Sequence, residues 1–333
     1  MRALPILFAC CSTLAWAVPA RGQIDTASFE EEKLALRRAP PEVTTDLLEP
    51  SLRSRFHVAF RIGGAGPENS FDGPVTWTVV PKGWVALIPG FAVGAAVPLG
   101  FSQQAGEDDF FLGNLRVSAA GGGSIALSTA NGGDLGPRLH LAAALDLYAP
   151  SLTPPSDGCD RLSVCPGPGR ARRLHGSELE LFLPDALLAR PRVHVAFSIR
   201  GFRLSSELSL SAGAYVGGNW EGEGLATFGV TGRASYDIVG RVEPFVEIAS
   251  QISVLHPENP VPLPGRYDPN DNPVLLTFGA RVYAAELAPA LFASVDVDRG
   301  VVFFGVDLAG VLRSAGQRRE TDFFDRERFG PGR

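Results

Sequence analysis

Residues 225–254 read LATFGVTGRASYDIVGRVEPFVEIASQISV. Every second position of the first half is small, apolar or aromatic: Ala226, Phe228, Val230, Ala234, Tyr236 and Ile238. The positions between them are Thr227, Thr231, Arg233, Ser235 and Asp237. After Val239-Gly240 the alternation resumes, with Val242, Val246, Ile248, Ile252 and Val254 set against Glu243, Glu247, Gln251 and Ser253. A period of two is the signature of a strand, because successive side chains leave opposite faces. Two long strands therefore carry one apolar face and one charged face. The solvent that each face meets decides the fold.

Water outside would make the apolar face a core, needing a second sheet or helices to cover it. Lipid outside reverses the orientation, and the charged face then lines a lumen. Three observations favour lipid. The alternation recurs from Arg55 to Leu312 in about twelve strands of roughly nine to thirteen residues, against about 9–11 for a transmembrane β-strand and about 5–6 for an ordinary one. The chain shows no helices to cover an apolar sheet. It also begins with export chemistry: Met1-Arg2 precedes ALPILFACCSTLAWAVPA, eighteen uncharged residues, with small residues before a cut after Ala20 or Gly22. A membrane anchor and a lipoprotein acylated at Cys10 are the rival readings of that segment. A soluble secreted β-sandwich is the rival fold.

The expectation is all-β: a single antiparallel transmembrane β-barrel of about 12 strands, in a range of roughly 10–14. Its parts are a signal peptide over 1–22, a polar segment with a short helix over 23–54, the barrel over 55–312 and a charged tail over 313–333. Strands are expected in PRLHLAAALDLYAP, SELELFLPDALL and RVHVAFSIRGF, and a break near Pro81-Lys82-Gly83. Two long loops, 151–176 and 255–272, are rich in Pro, Gly, Asn and Asp. Long loops on one face require an even number of strands between them, and this reading places five there.

Cys159 and Cys165 are the cysteines that remain after signal removal, in GCDRLSVCPGPG. In an exported chain they read as one disulfide, with two free thiols as the alternative. The net charge is -6, with 45% hydrophobic and 20% charged residues, which argues against a nucleic-acid partner. No catalytic, nucleotide-binding or metal-binding motif is found, so neither an enzyme nor a cofactor is expected. His194 with Ser198 is a conceivable Ser–His pair, but both read better as polar lumen residues.

The lumen-facing candidates are Arg116, His140, Asp146, Glu178, Glu180, Arg192, His194, Arg200, Glu207, Arg233, Asp237, Glu243, Glu247, Arg281, Asp296 and Asp307. Both signs are mixed, without the single-sign ring of an ion-selective filter. They suit either a narrow passage or a closed network of internal ion pairs. Phe60, Trp77, Trp84, Phe91, Tyr148, Tyr215, Trp220, Tyr236 and Tyr283 are candidates for aromatic girdles.

GNLRVSAAGG, LHLAAALDLYAP before a long loop, and GRASYDIVGRVEPFVEIA resemble Gram-negative outer-membrane β-barrels. They are most similar to the loosely defined transporter group of the phenol-degradation type. The resemblance covers roughly residues 55–312 and is one of rhythm. It implies outer-membrane lipid as the partner of the outer face and a small, apolar permeant. The oligomeric state stays open. Such barrels often end on a strand with a terminal aromatic residue, whereas this chain ends FGPGR.

Overall fold

The computed structural model describes residues 54–64, 75–88, 90–104, 107–127, 137–150, 171–172, 174–175, 178–183, 185–199, 201–216, 221–238, 241–255, 273–283, 287–297 and 301–312. The expected signal peptide, the polar segment before Ser54, the charged tail, Cys159 and Cys165 lie outside the described residues.

Among the described residues, fourteen strands form one antiparallel sheet. They are β1 (Ser54–Gly64), β2 (Val75–Ile88), β3 (Phe91–Ala96), β4 (Leu99–Gln104), β5 (Glu107–Leu112), β6 (Leu115–Ala126) and β7 (Arg138–Ala149). The remainder are β8 (Ala186–Ile199), β9 (Phe202–Tyr215), β10 (Gly224–Tyr236), β11 (Val242–Leu255), β12 (Val274–Val282), β13 (Leu287–Asp296) and β14 (Val301–Leu312). The sheet closes because β1 pairs with both β14 and β2, from Ser54 opposite Leu312 and from Arg55 opposite Trp84.

The closed ring has twelve staves. β3 and β4 are one stave interrupted at Val97-Pro98, since β2 pairs with β4 through Val75–Val79 and with β3 from Lys82 onward. β5 and β6 are a second broken stave, interrupted at Gly113-Asn114. Among the described residues every strand but β5 is paired on both sides, β5 pairing with β4 alone; closing the ring in this way covers the edges that a barrel in lipid must not expose.

The expected break at Pro81-Lys82-Gly83 is not there, and β2 runs through it. Proline cannot donate to a ladder. Pro81 is tolerated because its position falls where the neighbouring stave is itself broken, and its carbonyl accepts the Val97 amide at 3.1 Å. The turn comes later, at Gly90, whose φ of 78° suits glycine.

SELELFLPDALL is likewise not a wall strand. Its Leu179–Phe182 is a 3-10 helix, and the strand starts only at Ala186. Removing that strand leaves four, β8–β11, between the two long loops, so both loops open at the same end. Ser54 and Leu312 lie at the other end, beside the short connections at Gly90, Gly201 and Asp237–Arg241.

The alternation of the opening stretch is the alternation of the wall. On β8, Val193 is 52% exposed while Arg192 and His194 are buried. On β9 and β10, Leu208, Leu210, Phe228 and Val230 face outward, and Glu207, Ser209, Thr227 and Thr231 are buried. Val193, Leu208 and Val230 oppose one another across three staves, forming an apolar row at mid-barrel. A contiguous apolar exterior of this extent is a membrane-facing surface.

Phe60, Trp77 and Phe101 add an outward aromatic ladder, with ring centroids 6.4 Å and 5.1 Å apart. Phe91 and Tyr236 are also exposed. Trp84, Tyr148 and Tyr215 are buried instead, and Tyr283 donates to Glu243, so these four turn inward and are not girdle residues. Trp220 lies outside the described residues.

Candidate functional site: a charged lumen filled by an inserted segment

The chain between β7 and β8 returns into the barrel before it joins the wall. Residues 171–172, 174–175 and 178–183 are buried among inward-facing wall side chains. Leu174 packs with Leu275 of β12 and Phe303 of β14. His175 shares a 2.8 Å hydrogen bond between its Nε2 and Thr78 Oγ1 of β2.

The two glutamates of the segment are held from opposite sides. The Glu178 carboxylate accepts from Lys82 Nζ at 2.6 Å and from the Arg116 guanidinium. The Glu180 carboxylate accepts from Arg190 at 3.2 Å, from Thr227 at 3.2 Å, and from Ser211 and Gln251. Those donors come from β2, β6, β8, β9, β10 and β11. The segment is thereby tied across the lumen, not along one wall.

Its backbone is docked in the broken stave. The Asn114 amide donates to Leu181 O at 2.7 Å. The Asn114 side-chain amide donates to Glu180 O at 2.8 Å and to Leu183 O. Gly113 allows this approach, because a β-carbon there would overlap the Leu181 carbonyl oxygen. The interruption of β5/β6 is therefore the dock of the 3-10 helix. A continuous ladder would have consumed the main-chain amide that Asn114 gives to Leu181.

Two chemical zones surround the segment. Towards the long-loop end, Tyr148, Ala186, Leu188, Tyr215 and Leu225 form one buried cluster with the inserted Leu181, Phe182 and Leu183. Phe111 meets Phe182 edge to face, with centroids 6.0 Å apart. Beside this collar lies an ionic layer. Arg192 Nε is 2.6 Å from Asp146, and Arg192 and Arg190 lie 3.4 Å and 3.6 Å from Glu207. Lys82, Arg116, Arg190 and Arg192 are four wall cations, and Asp146 and Glu207 are two wall carboxylates. Glu178 and Glu180 bring the carboxylates of this layer to four, while the segment's own buried cation, Arg172, lies near Tyr215 at the collar. Buried charges demand such pairing.

Nearer the chain termini the wall pairs with itself. Asp307 accepts from Arg61 and lies 3.5 Å from His57. Glu243 lies 3.6 Å from Arg233 and 3.5 Å from Arg281. Arg233 and Arg61 also cap the rings of Phe245 and Phe292 at 3.9 Å and 4.3 Å.

Of the expected lumen residues, Arg116, His140, Asp146, Arg192, His194, Glu207, Arg233, Glu243, Glu247, Arg281, Asp296 and Asp307 are buried on the wall. Glu178 and Glu180 are buried too, but on the inserted segment. Asp237 is half-buried in a short connection, and Arg200 lies outside the described residues. Ser198 is hydrogen-bonded to His140 at 3.0 Å across the β7–β8 ladder, not to His194. Among the described residues, no group of three or more His, Cys, Asp or Glu is placed to hold a metal.

Arg61, Lys82 and Arg190 were absent from the sequence reading. Arg190 and Arg192 sit on one face of ALLARPRVHVAFSI, but Pro191 between them disguises the strand. Pro191 faces outward, opposite Leu145, where its ring meets the membrane side. Lys82 was lost with the break wrongly expected beside it. Arg61 shares a face with His57 and Ala59, and that alternation was legible.

Closed antiparallel staves, an apolar exterior and a charged interior define the fold of an outer-membrane β-barrel. Among solved structures, the chain is similar to an outer-membrane channel from Pseudomonas putida F1, with TM-score 0.50 and 9% identity over 82% of this chain and 100% of that one. Weaker similarities are to the KdgM porin (TM-score 0.39, 8% identity, 78% and 99% covered) and to the translocator domain of the autotransporter NalP from Neisseria meningitidis (TM-score 0.39, 11% identity, 87% and 97% covered). No protein-family model and no curated protein matches the chain.

Proposed function

We propose that the chain is a passage for small molecules across the outer membrane, closed at rest by the inserted residues 178–183. One observation carries this reading. Towards the long-loop end the lumen is filled by a chain segment anchored through ion pairs and backbone hydrogen bonds, whereas nearer the chain termini wall side chains pair with each other. A wall that fills itself cannot open without unfolding, whereas a segment can withdraw and leave the staves paired. Twelve staves lie between the self-filled eight-stranded barrels and the open sixteen-stranded porins, so a removable filler suits the width.

The apolar collar around Tyr148, Leu188, Tyr215 and Leu225 supports a permeant with apolar character, in keeping with the phenol-degradation-type resemblance. The long loops are placed on the cell exterior in this reading, because outer-membrane barrels keep short turns in the periplasm. The signal over 1–22 would deliver the chain there.

The test is conductance in planar bilayers. The wild type and a variant with 178–183 replaced by a flexible Gly/Ser stretch are compared, each first shown to be folded by a heat-dependent shift in gel mobility. Rare openings in the wild type and sustained current in the variant are expected. A folded variant that stays silent would make the barrel a structural or surface-interaction protein.

A further inference from the structure

The segment that fills the lumen also describes what could replace it. Residues 178–183, ELELFL, place two carboxylates against wall cations and set Leu181, Phe182 and Leu183 against the collar. The wall cations of that layer outnumber the wall carboxylates two to one, and every one of them is at least nine-tenths buried. Lys82 and Arg116 converge on a single carboxylate from β2 and β6. This is a built carboxylate site beside a built apolar site, and the protein's own chain occupies both.

Resting on the passage reading, we propose that the permeants are small amphiphilic carboxylates, such as medium-chain alkanoates and arylalkanoates. They compete with Glu178 and Glu180 for Lys82, Arg116 and Arg190 while their hydrocarbon takes the place of Leu181 and Phe182 against the collar. The chemistry selects charge as well as size. A neutral alcohol of the same length gains the collar but leaves the cations unpaired, and unpaired buried charge is costly. An alkyl ammonium ion adds a like charge to the layer. Displacement needs no new energy source, because one carboxylate replaces another and a ligand shifts the closed–open balance only by its differential affinity for the open state.

The experiment uses the full chain in planar bilayers and in nanodiscs, with octanoate, octanol and octylamine as probes. The wild type is compared with Glu178→Gln plus Glu180→Gln. Octanoate is expected to raise the opening frequency of the wild type about tenfold at a concentration where octanol and octylamine do nothing. The double variant, which lacks the internal competitor, should open without ligand, reverse towards the chloride potential in a KCl gradient, and have its chloride current reduced by octanoate. A double variant that opens without chloride preference and treats octanoate as octanol overturns the carboxylate inference and leaves the passage standing. Silence from both folded proteins overturns the passage and the inference together. Should the double variant show no heat shift, calorimetry on the wild type decides: saturable octanoate binding, absent for octanol and lost in Lys82→Ala, supports the proposal, and its absence sinks it.

Discussion

The side-chain amide of Asn114, a residue in the gap between β5 and β6, donates to the Glu180 carbonyl oxygen at 2.8 Å. One wall residue thus fixes the backbone of the filler beside the carboxylate that the opposite wall holds. The two anchors differ: Asn114 holds peptide groups, Arg190, Ser211 and Thr227 hold the charge, and Gln251 does both, accepting from the Leu179 amide at 3.2 Å.

Asn114→Ala removes two donors from buried carbonyls without touching any charge. Leaving a buried acceptor unsatisfied costs about 1–3 kcal/mol. At about 1.4 kcal/mol per tenfold, the closed state should lose at least several-fold in population. Single-channel open probability is the readout, and the heat-shift temperature of the barrel should barely move, because the ladder is intact. A drop in that temperature without extra openings would mean that Asn114 serves the wall and not the filler.

The exterior makes an independent claim. Leu208 lies at the middle of β9 and is 49% exposed, between Val193 and Val230. An arginine on the lipid face at the membrane midplane costs about 2–4 kcal/mol. Leu208→Arg should therefore refold poorly into lipid vesicles, measured by urea titration, and Leu208→Ala should lose less. If Leu208→Arg instead became more soluble and equally stable, the apolar row would be packed against protein and the membrane reading would fail.

The wall was legible and the filler was not, for one physical reason. In β8 to β14 each residue reports its own surroundings, because the pleat sends neighbours to lipid and lumen in turn. The same alternation in SELELFL misleads. Glu178 and Glu180 alternate with Leu179 and Leu181, yet all four are buried, because a 3-10 helix inside the barrel has wall on every side. The sequence carried one warning: an odd number of strands between the two long loops, which topology forbids if both open at one end. Local pattern cannot tell a strand from a short inserted helix, and parity could. Arg190 was hidden by Pro191, since a proline reads as a strand end unless its missing donor can be spared.

Arg190 is the cation on which two carboxylates depend, at 3.2 Å from Glu180 and 3.6 Å from Glu207. Truncating one member of a buried ionic group costs about 3–5 kcal/mol, because the remaining charge keeps its desolvation penalty. Arg190→Met should therefore destabilise the barrel strongly in urea titrations in vesicles. Adding Glu180→Gln should restore part of the loss, with a coupling of about 0.5–3 kcal/mol in the double-mutant cycle. Additive losses would mean that Arg190 serves Glu207 alone.

The strand count fixes which segments share an end, and native cysteines can read that out. Cys159 and Cys165 belong to the chain between β7 and β8, outside the described residues; Ala149 and Ala186, where that chain leaves and rejoins the wall, share an end with Leu255 and Val274. With the long-loop end facing outward, a membrane-impermeant maleimide should reach the two cysteines on intact cells. If they form the disulfide expected of an exported chain, labelling should appear only after reduction. A cysteine placed at Gly201 in a Cys159→Ser, Cys165→Ser background should stay unlabelled until the outer membrane is permeabilised. Gly201 has φ 84°, so the replacement is strained, and its folding is checked first by the heat shift. Labelling of the native pair without reductant would establish two free thiols. Labelling at position 201 on intact cells, with the native pair protected, would invert the barrel and put the filler at the periplasmic mouth.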